Sequence, residues 1–366
     1  MKAAVLRKVG SPFEIEDIEK PKPRFGEVLV KVAACGVCHT DLHVIKGEVK
    51  FPVPAVLGHE ISGVIESIGP GVESLAPGDR VACSFIMPCG DCYFCNRGRD
   101  DLCEKFFQFN RLQGKAYDGN TRLFAKDGSP LWMYSMGGLA EFAVVPKTAV
   151  FRIPPSISIV EASILGCAIF TSYGAVKNQA VLRSGESVAV VAVGGVGLNI
   201  IQIARITGAY HIIAIDVRDD KLQAAKAQGA THLVNSKATN AVEEVLRITE
   251  GKGVDVVFEA LGRPDTVESA FNMAKDGGRV VVVGIAPVGV AAKIDITRLV
   301  RRGIRICGSY GARARTDMPK ILNLAERGMI DLGNVITRRY TLDEVNEGYG
   351  ALDRGEIVGR AIVRMN

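Results

Sequence analysis

Four cysteines lie close together in the first third of the chain, with the spacing of ligands to one metal ion. The pattern C-x2-C-x2-C-x7-C is formed by Cys89, Cys92, Cys95 and Cys103. Four thiolates can complete a closed tetrahedron around zinc. An iron–sulfur cluster is the alternative, because the first three cysteines have ferredoxin-like spacing, but the fourth gap is too long for the bacterial pattern. We therefore predict a zinc ion without an open coordination position, whose role is structural.

A second set of possible metal ligands is dispersed along the chain. It comprises residues 38–43 (Cys-His-Thr-Asp-Leu-His), residues 58–60 (Gly-His-Glu) and Cys167. From spacing alone, each of these residues could equally be a buried thiol or an imidazole satisfied within the core. For Cys167 considered by itself, the buried thiol is the better interpretation.

A glycine-rich turn stands between a predicted strand, residues 187–193, and a predicted helix, residues 197–207. The turn sequence Ala-Val-Gly-Gly-Val-Gly is close to the Gly-x-Gly-x-x-Gly fingerprint, in which the backbone and a helix N-terminus bind a pyrophosphate. Ala192 replaces the first glycine, which is tolerable if that position does not need a positive φ. The alternative is a packing turn without a ligand. The predicted dinucleotide contacts are Gly194, Gly195, Val196 and Gly197.

An acidic residue follows this turn at the distance expected for a cofactor contact. Asp216 ends the next predicted strand, 19 residues after Gly197. A carboxylate there accepts hydrogen bonds from the adenosine ribose and repels a 2′-phosphate, which favours NAD. Arg218 is the contrary signal, because a guanidinium so close could bind that phosphate. We expect NAD, with NADP as the alternative.

The elements that must position these residues differ between two parts of the chain. Up to about residue 150, short β-rich runs are broken by Gly and Pro, and the region 104–138 is the least regular. From about residue 169, apolar β-branched runs alternate with helical patterns, which predicts a parallel sheet covered on both faces. The last ~55 residues are irregular again and are expected to return to the first domain. Strands in the first part are predicted at residues 3–7, 27–33, 61–68 and 80–83.

Length and composition limit the classes of function. A chain of 366 residues with 48% hydrophobic and 23% charged residues is typical of a soluble protein of two domains. The net charge of +5 arises without a basic block, which argues against nucleic-acid binding. No segment has the pattern of a signal peptide or a membrane span, so we expect a cytoplasmic protein. Nine cysteines in a reducing compartment indicate metal binding or catalysis rather than disulfides.

Together these motifs resemble the zinc-containing medium-chain alcohol dehydrogenase family. The match runs nearly end to end through both cysteine sets, the glycine turn, Asp216 and the Gly-Cys, Thr and Tyr-Gly of residues 166–174. It implies an α/β fold, with a GroES-like, β-rich catalytic domain at residues 1–165 and 310–366. A doubly wound parallel-sheet Rossmann domain would occupy residues 166–309.

The resemblance also implies the chemistry. Hydride would pass between an alcohol and NAD(H), with two zinc ions per subunit. Cys38, His59 and Cys167 would hold the catalytic zinc, and Glu60 enters the coordination sphere in some family members. Two thiolates and a neutral imidazole leave this ion near zero formal charge but still a Lewis acid, which can lower the pKa of a bound alcohol.

Further roles are implied by the same resemblance. Asp41 would accept a hydrogen bond from His59 and fix its tautomer. Thr40 and His43 would carry the alcohol proton to solvent through the cofactor ribose, because a hydroxyl both accepts and donates and an imidazole titrates near neutral pH. The implied cofactor contacts outside the turn are Thr171, Val283 and, at the pyrophosphate, Arg360.

The sequence leaves the substrate open. Phe85 and the Leu-Trp-Met of residues 131–133 are candidates for an apolar pocket wall. The glutathione-dependent formaldehyde branch of the family has an arginine four residues past the last lobe cysteine, where this chain has Phe107, which disfavours that branch. A semialdehyde would want a cation near the zinc, and Arg111 and Arg122 lie in the long loop region.

Several alternatives stay open beside a small alcohol, aldehyde or ketone substrate. The same zinc chemistry would suit a semialdehyde or polyol reductase, with NADP(H) as a further option. A non-catalytic dinucleotide-binding zinc protein is the alternative of another class, and the intact ligand set argues against it. A zinc-free quinone reductase relative would lack those ligands. We expect no nucleic-acid or membrane partner, and a homodimer or homotetramer joined near residues 280–284 and 305–308.

Overall fold

The computed structural model describes residues 1–365, which form two compact units. The first unit contains Met1–Phe170, Arg313–Gly328 and the chain from Leu332 onward. The second unit contains Thr171–Ala312 and Met329–Asp331. Within the described chain, none of the helices is both long enough and apolar enough to cross a membrane.

The first unit is built on two β-sheets with mainly antiparallel pairing. Numbered along the whole chain, its strands are β1 (Lys2–Leu6), β2 (Glu14–Asp17), β3 (Glu27–Val37), β4 (Ala55–Val56), β5 (Ile61–Ile68), β6 (Arg80–Cys83), β7 (Leu123–Phe124), β8 (Pro130–Met133), β9 (Phe142–Pro146), β10 (Val150–Arg152), β17 (Ile336–Thr341) and β18 (Arg360–Arg364). One sheet has the order β2-β1-β4-β8-β7. The other has the order β10-β6-β5-β3-β18-β17, with β9 also paired to β3.

Strand β3 organises this unit. It is rich in β-branched and small residues, is buried along almost its whole length, and pairs with β5, β9 and β18. Such a strand suits the middle of a sheet that is covered on both faces. Because β3 ends at Val37, the sheet fixes the position of the next residue, Cys38.

The first unit also contains α-helices. They are α1 (His39–Ile45), the start of α2 (Ala168–Tyr173), α8 (Ala314–Glu326) and α9 (Val345–Asp353). A 3-10 segment, Glu161–Gly166, leads to Cys167, and the segment Phe106–Arg111 is π-helical. Sequence patterns did not predict β17, α9 or β18, because β18 is stabilised by antiparallel pairing to the distant β3.

The second unit is a single six-stranded sheet between helices. Its strands are β11 (Val188–Val191), β12 (Ile212–Asp216), β13 (His232–Asn235), β14 (Val254–Glu259), β15 (Ala274–Val282) and β16 (Arg305–Gly308). Its helices are α3 (Gly195–Thr207), α4 (Asp219–Ala227), α5 (Ala241–Ile248), α6 (Pro264–Met273) and α7 (Ile296–Arg301). All pairs are parallel, in the order β13-β12-β11-β14-β15-β16, which is the doubly wound order of a Rossmann fold. The predicted fold class is therefore confirmed.

Local sequence accounts for the start of several of these helices. Asn240 accepts hydrogen bonds from the N–H groups of Val242 and Glu243 and so caps α5, and Pro264 occupies the first turn of α6. The strand order reverses between β11 and β14, and the glycine turn follows β11. Ligands of open α/β sheets bind beside such a reversal, outside the carboxyl ends of the strands.

Candidate metal centres and cofactor site

The dispersed cysteine, histidine and glutamate residues come together in the first unit. One ligand atom from each of Cys38, His59, Glu60 and Cys167 lies within 4.8 Å of the others, and all four residues are buried. Cys38 follows β3 and begins α1, His59 and Glu60 precede β5, and Cys167 follows the 3-10 segment. This set, here called the dispersed cluster, thus depends on three separate parts of the chain.

A glycine permits the close approach on which this cluster depends. Gly58 has a φ of +94°, and a Cβ there would lie 2.6 Å from the backbone nitrogen of Leu139 and 2.8 Å from Cys35 Sγ. A residue with a side chain would be strained at this φ and would clash with the backbone. Glycine at position 58 therefore holds the adjacent His59 in place.

The orientation of His59 is set by a buried carboxylate. His59 Nδ1 donates to Asp41 Oδ1 at 3.1 Å, which leaves Nε2 as the ring nitrogen with a lone pair. The Gly58 N–H also donates to this oxygen at 3.2 Å, and the hydroxyl of Tyr349 donates to Asp41 Oδ2 at 2.9 Å. Sequence reasoning predicted the contact of Asp41 with His59 but missed Tyr349, which lies on α9.

The second nitrogen of the His59 ring is the clearest indication of a metal ion. His59 Nε2 is buried and has no hydrogen-bond partner among residues 1–365. A buried nitrogen without a partner is costly unless something outside the protein satisfies it. Because the nearby donor atoms are two cysteine sulfurs and a carboxylate oxygen, the residues fit a zinc ion.

Charges around the cluster favour a cation at this position. Burial opposes protonation of His59, but Asp41 and Cys38 outweigh it and raise the pKa of His59 to about 10. A hydrogen bond from Cys167, together with the Arg360 and His59 charges, holds the pKa of Cys38 well below its usual range despite burial. The negative groups that stabilise a protonated imidazole would equally stabilise a bound metal cation.

Glu60 has a partner that the sequence did not predict. Its Oε1 accepts a hydrogen bond from Arg360 Nη2, and both side chains are buried in the first unit. Burial raises the pKa of Glu60 to about 7, although Arg360 acts in the opposite direction. Arg360 was predicted at the cofactor pyrophosphate, and that role stays a prediction beside this observed ion pair.

The two residues predicted to carry the proton lie on α1. Thr40 Oγ1 is 3.5 Å from Cys38 Sγ, at the edge of the dispersed cluster. His43, one turn further along, is about a quarter exposed and binds the carboxylate of Glu48 through Nδ1. A carboxylate on one ring nitrogen fixes the orientation of the imidazole. Glu48 was not recognised from the sequence.

The four-cysteine lobe also forms as the spacing predicts. The sulfurs of Cys89, Cys92, Cys95 and Cys103 lie within 4.8 Å of one another. Positive φ angles at Gly90 and Gly98 make the turns, and the Cys89 N–H donates to the Cys103 sulfur at 3.2 Å. Burial acts to raise the pKa of the Cys92 thiol. Hydrogen bonds from the Cys95 and Glu104 backbones outweigh this effect, and the pKa is lowered to about 7.

An ion pair attaches this lobe to α8 within the same unit. The carboxylate of the buried Asp100 accepts three hydrogen bonds from Arg315. They come from Nε at 3.0 Å, from Nη2 at 2.6 Å and from the backbone N–H of Arg315 at 2.9 Å. Arg315 Nη2 also donates to the Cys95 carbonyl at 2.6 Å. A guanidinium therefore lies beside the group of sulfurs, although no pattern in the sequence marked it.

The glycine turn of the second unit has the form of a dinucleotide-binding turn, with one correction. Ala192 adopts a φ of +70°, so this position does need the left-handed conformation, and alanine accepts it at a cost of about 1 kcal/mol. A Cβ at Gly197 would lie 2.1 Å from the Ala192 carbonyl, whereas one at Gly194 would meet open space. The backbone at Gly194 is thus open to a ligand, and Gly197 permits close packing of α3 on the turn. Gly195 and Val196 form the first turn of α3.

Asp216 is oriented towards this turn by the backbone. Its Oδ2 accepts from the Val193 N–H at 3.0 Å, and its Oδ1 accepts from the Val217 and Arg218 N–H groups. The guanidinium of Arg218 is paired with Asp220. The residue predicted as a possible phosphate ligand is therefore already neutralised by an adjacent carboxylate.

Thr171 and Val283, two further predicted cofactor contacts, also belong to the second unit. Thr171 is buried in α2, where the neighbouring Ser172 hydroxyl donates to the Val196 carbonyl at 2.8 Å. Val283 follows β15, and its N–H donates to the Glu259 carbonyl at 2.8 Å. Both residues remain predictions as cofactor contacts.

Aromatic rings surround His59 in the first unit. Phe85, which the sequence indicated, lies 5.9 Å from the His59 ring in an edge-on arrangement. A second ring at His59 is Tyr134, at 6.2 Å, which the sequence did not indicate, and Trp132 stays a prediction as part of a pocket wall. The Phe85 and Tyr134 rings, here called the aromatic wall, thus pack beside His59 and make its surroundings apolar.

Comparison with known proteins identifies the family. Residues 24–155 match the alcohol dehydrogenase GroES-like domain, and residues 195–327 match the zinc-binding dehydrogenase family. The chain is 36% identical to the NDMA-dependent alcohol dehydrogenase of Amycolatopsis methanolica, over 99% of this chain and 98% of that protein. It is 32% identical to the S-(hydroxymethyl)glutathione dehydrogenase of Paracoccus denitrificans, over 99% of each. The solved structure of benzyl alcohol dehydrogenase from Acinetobacter calcoaceticus matches with a TM-score of 0.94 at 32% identity, covering 100% of this chain and 99% of that chain.

The fold and site therefore define a zinc-binding dehydrogenase. The chain belongs to the zinc-containing medium-chain alcohol dehydrogenase family and is an oxidoreductase of that type. Membership of this family implies zinc and a nicotinamide dinucleotide as cofactors, and a small alcohol or aldehyde as substrate.

Proposed function

We propose that this chain interconverts a small primary or secondary alcohol with its aldehyde or ketone, using NAD(H). In the oxidising direction the alcohol loses a hydride to NAD⁺ and a proton to solvent, giving the carbonyl compound and NADH. Residues 1–165 and 310–366 would form the catalytic domain, and residues 166–309 the dinucleotide-binding domain. The observation that carries the proposal is the unpartnered Nε2 of His59 beside Cys38 and Cys167.

The donor atoms support two zinc sites with different roles. Cys38, His59 and Cys167 would hold the catalytic ion, while Glu60 is a further oxygen donor that Arg360 draws aside. When bound there, zinc supplies a Lewis acid that stabilises negative charge on the substrate oxygen. The four cysteines of the lobe satisfy a tetrahedral ion completely, and so support a structural role.

The proton would leave by way of α1. Thr40, at the edge of the cluster, would accept the proton of the alcohol while passing on its own hydroxyl proton, and His43 would release a proton to solvent from its partly exposed position. Glu48 keeps the His43 ring oriented for this task. Asp41 takes no proton in this scheme and instead holds His59 in the tautomer that presents Nε2.

The carboxylates near the glycine turn support NAD rather than NADP. Asp216 is aimed at the turn by the Val193 N–H, and Arg218 is held by Asp220. A 2′-phosphate would meet Asp216, Asp219 and Asp220, whose like charge disfavours it. Ribose hydroxyls, in contrast, would donate hydrogen bonds to Asp216.

The aromatic wall supports an apolar substrate part next to the reacting carbon. Phe85 and Tyr134 flank His59, and rings of this kind suit aromatic or branched alcohols. The benzyl alcohol dehydrogenase that this fold resembles makes benzylic alcohols the first compounds to assay. Phe107 stands where the glutathione-dependent branch has arginine, so we do not propose a glutathione adduct as the substrate.

A panel of alcohols and aldehydes, assayed with both NADH and NADPH, tests this proposal. We expect turnover of benzaldehyde and of small aliphatic aldehydes with NADH, and a KM for NADPH at least about tenfold higher. A clear preference for NADPH would reject the cofactor assignment. Absence of turnover with the zinc-loaded protein across the panel would reject the reaction.

The quaternary structure is a further part of the proposal. Strand β16 is the last strand of the parallel sheet, and several exposed apolar side chains lie close to it in sequence, including Ile296, Val300 and Ile306. An uncovered edge strand with apolar surroundings supports pairing with a second copy. Light scattering should give a dimer or tetramer, and a monomer at micromolar concentration would exclude this edge as an interface.

A further inference from the structure

A completely buried glutamate ends the strand next to the glycine turn in the second unit. Glu259 is the last residue of β14 and follows the core residues Val257 and Phe258. In the parallel sheet it is paired with Val191, the last residue of β11, so it lies level with the start of the glycine turn. A buried carboxyl group costs free energy unless its oxygens are satisfied, whereas an apolar side chain would simply continue the core. The contacts of Glu259 therefore indicate why a carboxyl group stands here.

The side chain of Glu259 holds the loop that follows β14. Its Oε1 accepts hydrogen bonds from the Leu261 N–H at 3.0 Å, the Gly262 N–H at 2.9 Å and the Thr266 hydroxyl at 2.8 Å. Its Oε2 also accepts from the Gly262 N–H, at 3.1 Å. The carboxyl group is the acceptor in every one of these contacts, as a carboxylate is. One side chain thus fixes the loop 260–262.

The main chain of the same residue holds the loop that follows β15. The Glu259 carbonyl accepts from the Val283 N–H at 2.8 Å and from the Gly284 N–H at 3.1 Å. The two loops are in direct contact, because a Cβ at Gly284 would lie 2.0 Å from the Gly262 nitrogen. Gly262 has a φ of +86°, and a Cβ there would lie 2.6 Å from the Ile285 backbone. Glu259 therefore joins two loops that leave no room for further side chains between them.

These two loops lie on the opposite side of β11 from Asp216. In the order β13-β12-β11-β14-β15-β16, Asp216 ends the strand on one side of β11, and Glu259 ends the strand on the other. A dinucleotide crosses such a sheet outside the carboxyl ends of the strands, with one mononucleotide on each side of the reversal. Because Asp216 is proposed to bind the adenosine ribose, the nicotinamide half belongs over β14 and β15. Val283, a predicted cofactor contact, lies in the second of the two loops.

Glu259 differs from Asp216 in its exposure. Asp216 is 8% exposed beside the glycine turn, whereas Glu259 is 0% exposed and its oxygens accept hydrogen bonds from the protein itself. A carboxylate enclosed in this way does not reach a ligand directly. Its effect on a cofactor must pass through the loops that it holds.

We propose that Glu259 is a positioning residue for the nicotinamide half of the cofactor, because it fixes the loops 260–262 and 283–285 before the cofactor binds. This inference rests on the proposed function and names a residue that its cofactor site requires. Loops that are fixed in advance lose less conformational freedom on binding, so the cofactor binds more tightly. Without the carboxylate, the cofactor itself would have to order both loops, and its affinity would fall.

Two ligands separate the halves of the site on the zinc-loaded protein. NADH occupies both halves, whereas ADP-ribose contains the adenosine and the pyrophosphate without the nicotinamide ring. Calorimetry measures the Kd of each ligand without any turnover. In the wild type we expect NADH to bind at least about tenfold more tightly than ADP-ribose.

Two substitutions of Glu259 test the carboxylate. Glu259→Gln keeps one accepting oxygen and should weaken NADH binding about fivefold, whereas Glu259→Met keeps none and should weaken it about tenfold or more. Both variants should leave the Kd of ADP-ribose within about twofold of the wild-type value, because the adenosine half does not depend on these loops.

Asp255→Asn is the matched control for Glu259→Gln. Asp255 lies near the amino end of the same strand, where its carboxylate accepts from the Ser187 N–H at 2.9 Å and pairs with Lys275. It is thus a carboxylate of β14 at the end of the sheet away from the glycine turn. This variant should keep the wild-type Kd for both ligands. Melting temperatures establish that each variant is folded, and Glu259→Gln carries the test if Glu259→Met unfolds.

The contrary outcomes are distinct from one another. An unchanged Kd for NADH in the Glu259 variants would overturn the inference, and so would an equal loss of affinity for NADH and ADP-ribose, which would indicate general loosening. The same selective loss in Asp255→Asn, or NADH binding no tighter than ADP-ribose in the wild type, would also overturn it. If the selective loss is found but no compound of the panel is turned over, the inference stands and the proposed reaction fails. If the wild type binds neither ligand, the proposed function fails and the inference fails with it.

Discussion

The first unit contains two sets of four side chains that have the donor atoms for a metal ion, and the two sets are built in opposite ways. The lobe takes all its sulfurs from residues 89–103, whereas the dispersed cluster joins residues 38, 59, 60 and 167. The lobe offers four equivalent thiols that close a tetrahedron. The dispersed cluster offers two thiols, an imidazole and a carboxylate that is drawn towards Arg360. Four protein ligands close a zinc site, whereas three ligands beside a carboxylate that is paired elsewhere leave a position for substrate.

The surroundings of the two sets differ in the same sense. The lobe is attached to α8 through Arg315 and Asp100, which are contacts that hold a loop on the fold. In the dispersed cluster, Asp41 orients the His59 ring. The Phe85 and Tyr134 rings pack beside His59 and make its surroundings apolar. The difference supports the proposal that one set maintains structure and the other performs chemistry.

Removing one sulfur from each set should have the largest and most contrasting effects. Cys38→Ser should reduce kcat by roughly 10³-fold or more with little change in melting temperature, because the Lewis acid is lost. Cys95→Ser, the matched variant, should cost several kcal/mol of stability and leave kcat of the remaining folded enzyme near normal. Zinc analysis should give one ion per chain in each. Similar losses of kcat in the two variants would remove the distinction.

The Arg360–Glu60 pair should come next in size. Arg360→Gln leaves a buried carboxyl without its partner and should lower the free energy of unfolding by about 3 kcal/mol. In the folded protein the pKa of Glu60 is already raised from 4.5 to about 7, so between these pH values the folded state binds more protons than the unfolded state. The free energy of unfolding therefore falls as the pH rises from 4.5 to about 7. Without Arg360 that pKa rises further and the loss extends to higher pH.

Urea unfolding at pH 6 and pH 8 measures this effect. The variant should lose more stability at pH 8 than at pH 6, and Glu60→Gln added to it should recover part of the loss. Equal losses at both pH values would mean that the charge of Glu60 is not what Arg360 stabilises.

The sequence predicts those parts of this arrangement whose residues are close together in the chain. The lobe, the glycine turn and the parallel sheet follow from local spacing and periodicity, and the ligands of the dispersed cluster came from family resemblance. The partners of those ligands could not be predicted: Tyr349 lies 308 residues from Asp41, and Arg360 lies 300 residues from Glu60. Contacts between residues so far apart in the chain depend on how the strands pair, for example β18 with β3. No local sequence pattern specifies that pairing.

The left-handed conformation of Ala192 was missed for another reason. The sequence shows an alanine where the fingerprint has glycine, and alanine normally avoids a positive φ. The structure nevertheless gives φ of +70° there, because the turn between β11 and α3 requires it. The conformation is therefore set by the turn and not by the residue type.

His43 should show a smaller, pH-dependent effect that belongs only to the dispersed cluster. His43→Gln should reduce turnover by about tenfold below neutral pH and less above it, because hydroxide can then take the proton from a site that has lost its relay. A pH–rate profile of the variant beside the wild type measures this. An unchanged profile would remove His43 and its Glu48 contact from the proton path.

The smallest expected effect concerns Tyr349, which acts through Asp41 and is a positioning residue. Tyr349→Phe removes one hydrogen bond to a buried carboxylate and should cost about 1 kcal/mol of stability. It should also speed zinc loss from the dispersed cluster a fewfold, as measured with a chromogenic chelator, while the lobe keeps its rate. Faster loss from both sets would indicate general loosening instead of a specific role.

Stepwise chelation distinguishes the proposed roles of the two metal sets within one chain. Zinc content, turnover and melting temperature would be followed on the same sample as chelator is added. Loss of the first zinc equivalent should abolish turnover while the melting temperature stays nearly constant, and loss of the second should lower the melting temperature. Turnover that survives the first equivalent, or a melting temperature that falls in parallel with activity, would contradict the account.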